Sequence, residues 1–302
     1  MEENLITKIN SLKEEKNAVI LAHNYQEDDI QELADYTGDS LGLSRKAANS
    51  EAEVIVFCGV KFMAESAAIL SPTKTVLLPD QNAGCPMAEM ISVKELQELK
   101  EEYPAAAVVC YVNSSAAVKA ESDVCCTSSN AVEIVKQVES ERVIFVPDKN
   151  LGDYVDRQTE KEIIYDVGYC PTHCRAEIED INQARDLYPQ AKVVVHPECS
   201  PEVVDGADFV GSTAQIIDYV QRTSAEEVVV GTEKGILYRL REDNPAKNFY
   251  LLTDDLICEN MKLTRGEDIA RALEDMSYQI TVKAEVRDRA EQALNKMLKL
   301  ST

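Results

Sequence analysis

Short runs rich in Val and Ile recur along the chain, and between them apolar residues return at helical spacing. The runs are "NAVILAH" (17–23), "AEVIVFCG" (52–59), "KTVLLPD" (74–80), "AAVVCYVN" (106–113), "RVIFVPD" (142–148), "KEIIYD" (161–166), "AKVVVHPE" (191–198) and "EEVVVGT" (226–232). Such alternation predicts parallel βα units, because a strand covered by helices on both faces reads as a continuous apolar run. The opening "MEENLITKINSLKEEK" predicts an amphipathic helix before the first strand. The closing "EVRDRAEQALNKMLKL" has helical spacing of Ala, Leu and Met and predicts a packing helix.

A long period underlies this pattern. Three strands end in polar clusters, with His23 and Tyr25 in "LAHNYQ", Tyr111 and Asn113 in "VCYVNSS", and His196 and Glu198 in "VVHPEC". From 23 to 111 is 88 residues, and from 111 to 196 is 85. A small polar turn follows each, at Ser40 ("TGDSLGL"), Ser128 ("CTSSNAV") and Ser212–Thr213 ("VGSTAQI"), with spacings of 88 and 84. Later an aspartate at a strand end precedes a cysteine by four or five residues: Asp80 and Cys85, Asp166 and Cys170, Asp254 and Cys258. These cysteines stand 85 and 88 residues apart. Three independent markers in one register predict three similar α/β domains, at 1–86, 87–171 and 172–302, the last carrying the C-terminal helix. Ligands of open parallel sheets bind beyond the carboxyl ends of the strands, and all three marker sets lie there.

Composition narrows the function. The 302 residues carry a formal charge of −23, which argues against a general nucleic-acid or anionic-membrane binder. No apolar run approaches the length that spans a bilayer, and the acidic N-terminus lacks a signal-type segment, so a cytoplasmic protein is expected. Nine cysteines cannot all pair internally. In a reducing compartment, clustered cysteines point to metal or redox chemistry before disulfides, although any single one is more often core packing.

If the three units pack with their carboxyl edges inward, Cys85, Cys170 and Cys258 converge. Three thiolates at one point suit zinc or an iron–sulfur cluster. The chain has three histidines, His23, His173 and His196, all within the marker stretches. Each imidazole can donate, accept or exchange a proton near neutral pH. The turns at Ser40, Ser128 and Ser212–Thr213 are ordinary N-caps on the plain reading. In register beside a metal centre, they become candidates for binding carboxylate or phosphate. Tyr25, Tyr111, Asn113 and Glu198 complete the expected cavity.

"AHNYQ", "ADYTGDSL", "VIVFCGVKFMAE", "NAGCPMA", "YVNSSA", "CTSSNA", "FVPDKNLG", "GYCPTH", "HPEC", "GST" and "ICENMK" together resemble the ordered motif set of the bacterial and archaeal quinolinate synthase family, over nearly the whole chain. The resemblance implies three Rossmann-like α/β domains in a pseudo-threefold triangle around a central [4Fe–4S] cluster. It also implies a transferase that condenses iminoaspartate with dihydroxyacetone phosphate to quinolinate, a step of NAD biosynthesis. Functional coupling to an iminoaspartate-producing enzyme is a further expectation. The family's three cluster ligands match Cys85, Cys170 and Cys258, leaving one iron open as a Lewis acid. Tyr25 matches an acid–base group and Glu198 a base near the cluster, while His23, Tyr111, Asn113 and His196 position substrate and relay protons. Ser40, Ser128 and Thr213, with neighbouring amides, match the anion holders, and Met63 packs beside the product ring. Lys61, Lys149 and Arg175 are further candidate anion partners.

Cys174 departs from the family pattern and is expected to be a bystander. Cys199 lacks counterparts at the other strand ends, and Cys125 and Cys126 are adjacent and unsuited to bridging each other. Only Cys258 occurs in "DLICENMK", where some relatives have a run of three cysteines, so no disulfide switch is expected. Another cluster-dependent hydro-lyase would need different substrate clamps. A non-enzymatic iron–sulfur sensor would leave Tyr25 and Glu198 without a purpose.

Overall fold

The computed structural model describes residues 1–165 and 167–301, so Asp166, the aspartate that marks the middle unit, lies outside the described residues. Among the described residues, twelve strands form three four-stranded sheets. The first holds β1 (Ala18–His23), β2 (Tyr36–Gly38), β3 (Val54–Cys58) and β4 (Thr75–Leu77). The second holds β5 (Ala107–Tyr111), β6 (Val124–Cys126), β7 (Arg142–Val146) and β8 (Glu162–Tyr165). The third holds β9 (Lys192–Val195), β10 (Phe209–Val210), β11 (Glu227–Gly231) and β12 (Asn248–Leu251).

All strand pairs are parallel. The order is the same each time: β2-β1-β3-β4, β6-β5-β7-β8 and β10-β9-β11-β12. The period seen in the residue spacing is therefore a repeat of topology, and the expected α/β class with three similar parallel sheets is what the chain forms. All five residues of β3 are buried, as an interior parallel strand requires. The edge strands β2, β6 and β10 have only two or three residues. They are too short to leave a periodic signal, which is why the apolar pattern passes over them.

In this strand order the chain reverses direction across the sheet between the first and third strands, so a crevice opens beyond their carboxyl ends. His23 ends β1, Tyr111 ends β5 and His196 follows β9, while Thr232 and Glu233 follow β11. The loops after β4, β8 and β12 carry Cys85, Cys170 and Cys258. Each leads into a short 3-10 turn: Met87–Glu89, His173–Arg175 and Glu259–Lys262. In all three, a backbone N–H further along donates to the cysteine carbonyl at 3.0 Å, from Ala88, Cys174 and Met261 respectively. Similar turns thus present all three cysteines.

The residues after Cys258 return to the first two sheets. Helix Gly266–Asp275 buries Ile269, Ala272 and Leu273 in a core shared with Ile9, Ile20 and Val56. Helix Ala284–Leu300 buries Ala290, Ala293, Leu294 and Met297, packing on helices Lys61–Leu70 and Ala116–Ala120 and on β6. Burying Leu294 and Met297 contributes about 1.5–3 kcal/mol each, which straps the first two units together. Val193, Val195, Val229 and Leu256 belong to a separate core beneath the third sheet. Among the described residues, no helix is long and apolar enough to cross a membrane.

Candidate functional site

One cavity lies where the carboxyl edges of the three sheets meet. His23, Tyr25, Ser40, Met63, Cys85, Tyr111, Asn113, Ser128, Cys170, His196, Glu198, Thr213 and Cys258 all line it. Of the expected catalytic, substrate-binding and sulfur-ligand residues, only Ser212 does not. Its hydroxyl caps its own helix by accepting from the Gln215 N–H, and it also pairs with Ser129 Oγ at 2.8 Å. Lys61, Lys149 and Arg175 are exposed and stand outside the cavity. Arg175 donates to the carbonyls of Asp255 and Ile257, and Lys149 lies over the Tyr169 ring. No lysine or arginine is among the lining residues. An anionic ligand would therefore be held by hydroxyl, imidazole and amide donors.

The first and third units share a device at their strand ends. The Tyr25 backbone N–H donates to His23 Nδ1, and the Glu198 N–H donates to His196 Nδ1, both at 3.2 Å. Each imidazole therefore accepts at Nδ1 and carries its proton on Nε2. His196 Nε2 pairs with Ser128 Oγ at 3.2 Å. Burial lowers both histidines to about 3, helped at His23 by the nearby Lys262 ammonium and opposed at both by Glu198. Near neutral pH they are uncharged donors rather than cations.

Glu198 is the anchor of the polar network. Tyr111 Oη donates to its Oε1 at 2.5 Å, and His173 Nδ1 lies 2.6 Å from its Oε2. The Asn150 amide holds the Glu198 carbonyl at 2.9 Å. Burial alone would raise this carboxyl, but the facing His196 and His173, with the Tyr111 hydroxyl, outweigh it and hold it well below the ordinary range. From Glu198 a chain of contacts crosses the cavity wall. His173 Nε2 meets Thr232 Oγ1 at 2.8 Å, Thr232 Oγ1 meets Tyr25 Oη at 2.6 Å, and Thr213 Oγ1 donates to Tyr25 Oη at 2.8 Å. With His173 donating from Nδ1 to the carboxylate, its Nε2 accepts from Thr232, whose oxygen accepts from Tyr25. Tyr25 is thus a phenol aimed along a path that ends on a carboxylate, and burial raises its pKa well above the usual value.

The cysteines separate by environment. Cys58, Cys110, Cys125, Cys126 and Cys199 are buried, whereas Cys85, Cys170 and Cys258 are half-buried and face the cavity. Cys174 lies off the cavity and accepts from Asn150 Nδ2 at 3.2 Å. Burial pushes Cys85 up to about 12 and raises Cys170 and Cys258, with neighbouring acidic groups adding to the rise. Such thiols are inert unless a cation takes the thiolate form. Three soft donors on similar turns, facing one cavity, suit a thiolate-bound metal group. Cys170 Sγ, His173 Nδ1 and a Glu198 oxygen also lie within 4.8 Å of one another and could hold an ion, but His173 and Glu198 already satisfy each other.

The small polar turns also meet. Ser129 Oγ contacts Asp39 Oδ2 at 2.7 Å and Ser212 Oγ at 2.8 Å, tying all three units together beside Ser40 and Ser128. Asn113 Oδ1 is buried with no partner, so the cavity presents an acceptor ready for a donor on a ligand.

His173, Thr232, Glu233 and Asn150 are absent from the sequence-derived site. His173 was visible as one of three histidines, but nothing local assigns it a role. Thr232 and Glu233 follow β11, the partner of β9 at the crevice. The signal that finds them is the rule that both strands flanking the reversal contribute.

The family model described as "Quinolinate synthetase A protein" matches residues 7–299. Curated relatives named quinolinate synthase are similar from end to end. The one from Alkaliphilus metalliredigens is 55% identical over 300 residues, covering 99% of each chain. The one from Dehalococcoides mccartyi is 56% identical over 294 residues, covering 97% of each. The one from Clostridium kluyveri is 51% identical over 297 residues, covering 98% of each. With matches at this level along its full length, the chain belongs to the quinolinate synthetase A protein family, a family of enzymes.

Proposed function

We propose that this enzyme condenses iminoaspartate with dihydroxyacetone phosphate to quinolinate, with loss of phosphate and water, in NAD biosynthesis in the cytoplasm. The atoms balance without an oxidant or reductant. The observation that carries the reading is the meeting, in one cavity, of three cysteine thiols with the Glu198–His173–Thr232–Tyr25 chain. Cys85, Cys170 and Cys258 would hold a [4Fe–4S] cluster. When bound, it supplies a Lewis acid through the iron that lacks a protein ligand.

The chain's own residues supply the rest. Glu198, kept ionised by its donors, takes a proton from the substrate. Tyr25 gives or receives a proton at Oη, and Thr232 and His173 connect that oxygen to the carboxylate. His23, His196, Tyr111 and Asn113 orient the substrate through neutral donors and the unpaired Asn113 oxygen. Ser40, Ser128 and Thr213, with the amides beside them, hold carboxylate and phosphate groups at helix N-termini, and Met63 packs on the ring as it forms. The units 1–86, 87–171 and 172–302 each contribute one sulfur ligand. An enzyme that produces iminoaspartate supplies the short-lived substrate.

The test is anaerobic purification with iron and sulfide analysis, followed by an assay with dihydroxyacetone phosphate and freshly generated iminoaspartate. Quinolinate formation is expected. Protein with an intact cluster that makes none overturns the reading, and dehydration of another hydroxy acid instead would assign it to a different cluster-dependent hydro-lyase.

A further inference from the structure

Tyr25 belongs to the first unit but is gripped by the third. Besides the Thr232 contact, Lys262 Nζ donates to the Tyr25 carbonyl. Gly235 packs so closely on the Tyr25 backbone that a Cβ there would stand 2.8 Å from its Cα and carbonyl carbon. Gln31 Nε2 closes the grip, donating to the carbonyls of Gln26 and Gly235 at 2.9 Å each. At the centre lies Glu233, which is fully buried and pairs with Lys262 Nζ at 3.1 Å. Its Oε1 accepts the Cys258 backbone N–H at 3.2 Å and its Oε2 the Gly235 N–H at 2.7 Å. One carboxylate therefore ties the amide of a cavity cysteine to the lysine that holds the Tyr25 backbone. A buried ion pair satisfied in this way is a device for fixing position more than for adding stability.

We propose that Glu233 and Lys262 are positioning residues that set the Tyr25 phenol against the Cys258 sulfur. The proposal rests on the proposed function, in which Tyr25 moves a proton and Cys258 is a sulfur ligand. Its consequence is that small errors in the pair appear in turnover before they appear in cluster binding, because misplacement of a reacting group by about 1 Å can cost on the order of 10²-fold.

The experiment uses anaerobically prepared, cluster-loaded wild type with Lys262→Met, Lys262→Arg, Glu233→Gln and Gly235→Ala. Iron content, kcat and KM are measured together with amide hydrogen exchange. Lys262→Met is expected to keep its iron, hold KM within about twofold and lose roughly 10²-fold in kcat, with part of the loss recovered in Lys262→Arg. In Lys262→Met and Glu233→Gln, amides at Tyr25–Gln26 and at Cys258–Met261 should both exchange faster, with β7 unchanged. Gly235→Ala, which pushes on the Tyr25 backbone while keeping both charges of the ion pair and the Gly235 N–H that Glu233 accepts, should lower kcat and leave Cys258–Met261 exchange alone. Faster exchange at only one of the two segments overturns the proposal, as does unchanged kcat in either Lys262→Met or Gly235→Ala. If Lys262→Met fails to load its cluster, Lys262→Arg and Glu233→Gln make the same comparison. If the wild type makes no quinolinate, the functional reading fails and the exchange data alone decide the clamp.

Discussion

The strand ends of the first and third units differ from that of the middle unit, although all three backbones share one topology. His23 and His196 each accept a backbone N–H from the residue two positions on, so both are held as Nε2–H donors. The middle unit places Tyr111 at that position, and its hydroxyl reaches across to Glu198. Two positions further along stand Tyr25, Asn113 and Glu198. They offer a phenol, an unpaired amide oxygen and an ionised carboxylate. A threefold scaffold thus presents three different groups to one cavity, which lets repeated backbone perform unsymmetrical chemistry. Where symmetry is kept, at the cysteine turns, the expected ligand is itself compatible with threefold approach.

The largest expected effect breaks the symmetric part. Cys85→Ala, Cys170→Ala and Cys258→Ala should each lose iron and sulfide and fall to background activity. A single variant that retains the full cluster would separate its cysteine from the other two. Next come the two tyrosines, whose positions contrast most directly. Tyr25→Phe removes the group that ends the His173–Thr232 chain and should lower kcat by roughly 10²–10⁴ with the cluster intact. Tyr111→Phe removes only a donor to a charged acceptor, about 1.5–3 kcal/mol, so a loss of roughly 10–10²-fold is expected. Equal losses in steady-state assays would erase the distinction between the two units.

A smaller effect concerns stability. His23 and His196 are lowered from 6.5 to about 3 by burial. Below pH 6.5 the unfolded chain takes up protons that the folded chain does not, so stability falls as pH drops from 6.5 towards 3. Each histidine can contribute up to a few kcal/mol to that slope. Denaturant unfolding against pH should show a shallower acid slope in His23→Gln and His196→Gln, and an unchanged slope would contradict the neutral assignment. The smallest effect is at Cys174, whose thiol meets Asn150 outside the cavity. Cys174→Ala should keep its iron content and lose less than about twofold in kcat, within the range of ordinary surface changes.

Much of this was legible along the chain because parallel βα units place chemistry at fixed offsets from strands. Cys85, Cys170 and Cys258 recur in register, and all three reach the cavity. Ser212 and Thr213 show the limit of such reasoning. They are neighbours in one turn, yet Ser212 caps its helix while Thr213 donates to Tyr25. A one-residue difference at a helix start decides whether a hydroxyl serves its own backbone or the cavity. Lys61 and Lys149 stand outside the cavity for a related reason. Each begins a helix on the solvent side, where a long cation stays hydrated.

The amino-acid order by itself determined the longer strands, the threefold period and the three cysteines, because burial on both sheet faces and the offset of a loop from its strand are local properties. Only the tertiary structure decided what His173 does. Its ring touches Glu198 on one side and Thr232, 59 residues away, on the other. The same holds for the C-terminal helices, which leave the third sheet to strap the first two, and for the grip of Glu233 and Lys262 on Tyr25. Contacts between units depend on how separate sheets pack, and no periodicity within one unit carries that information.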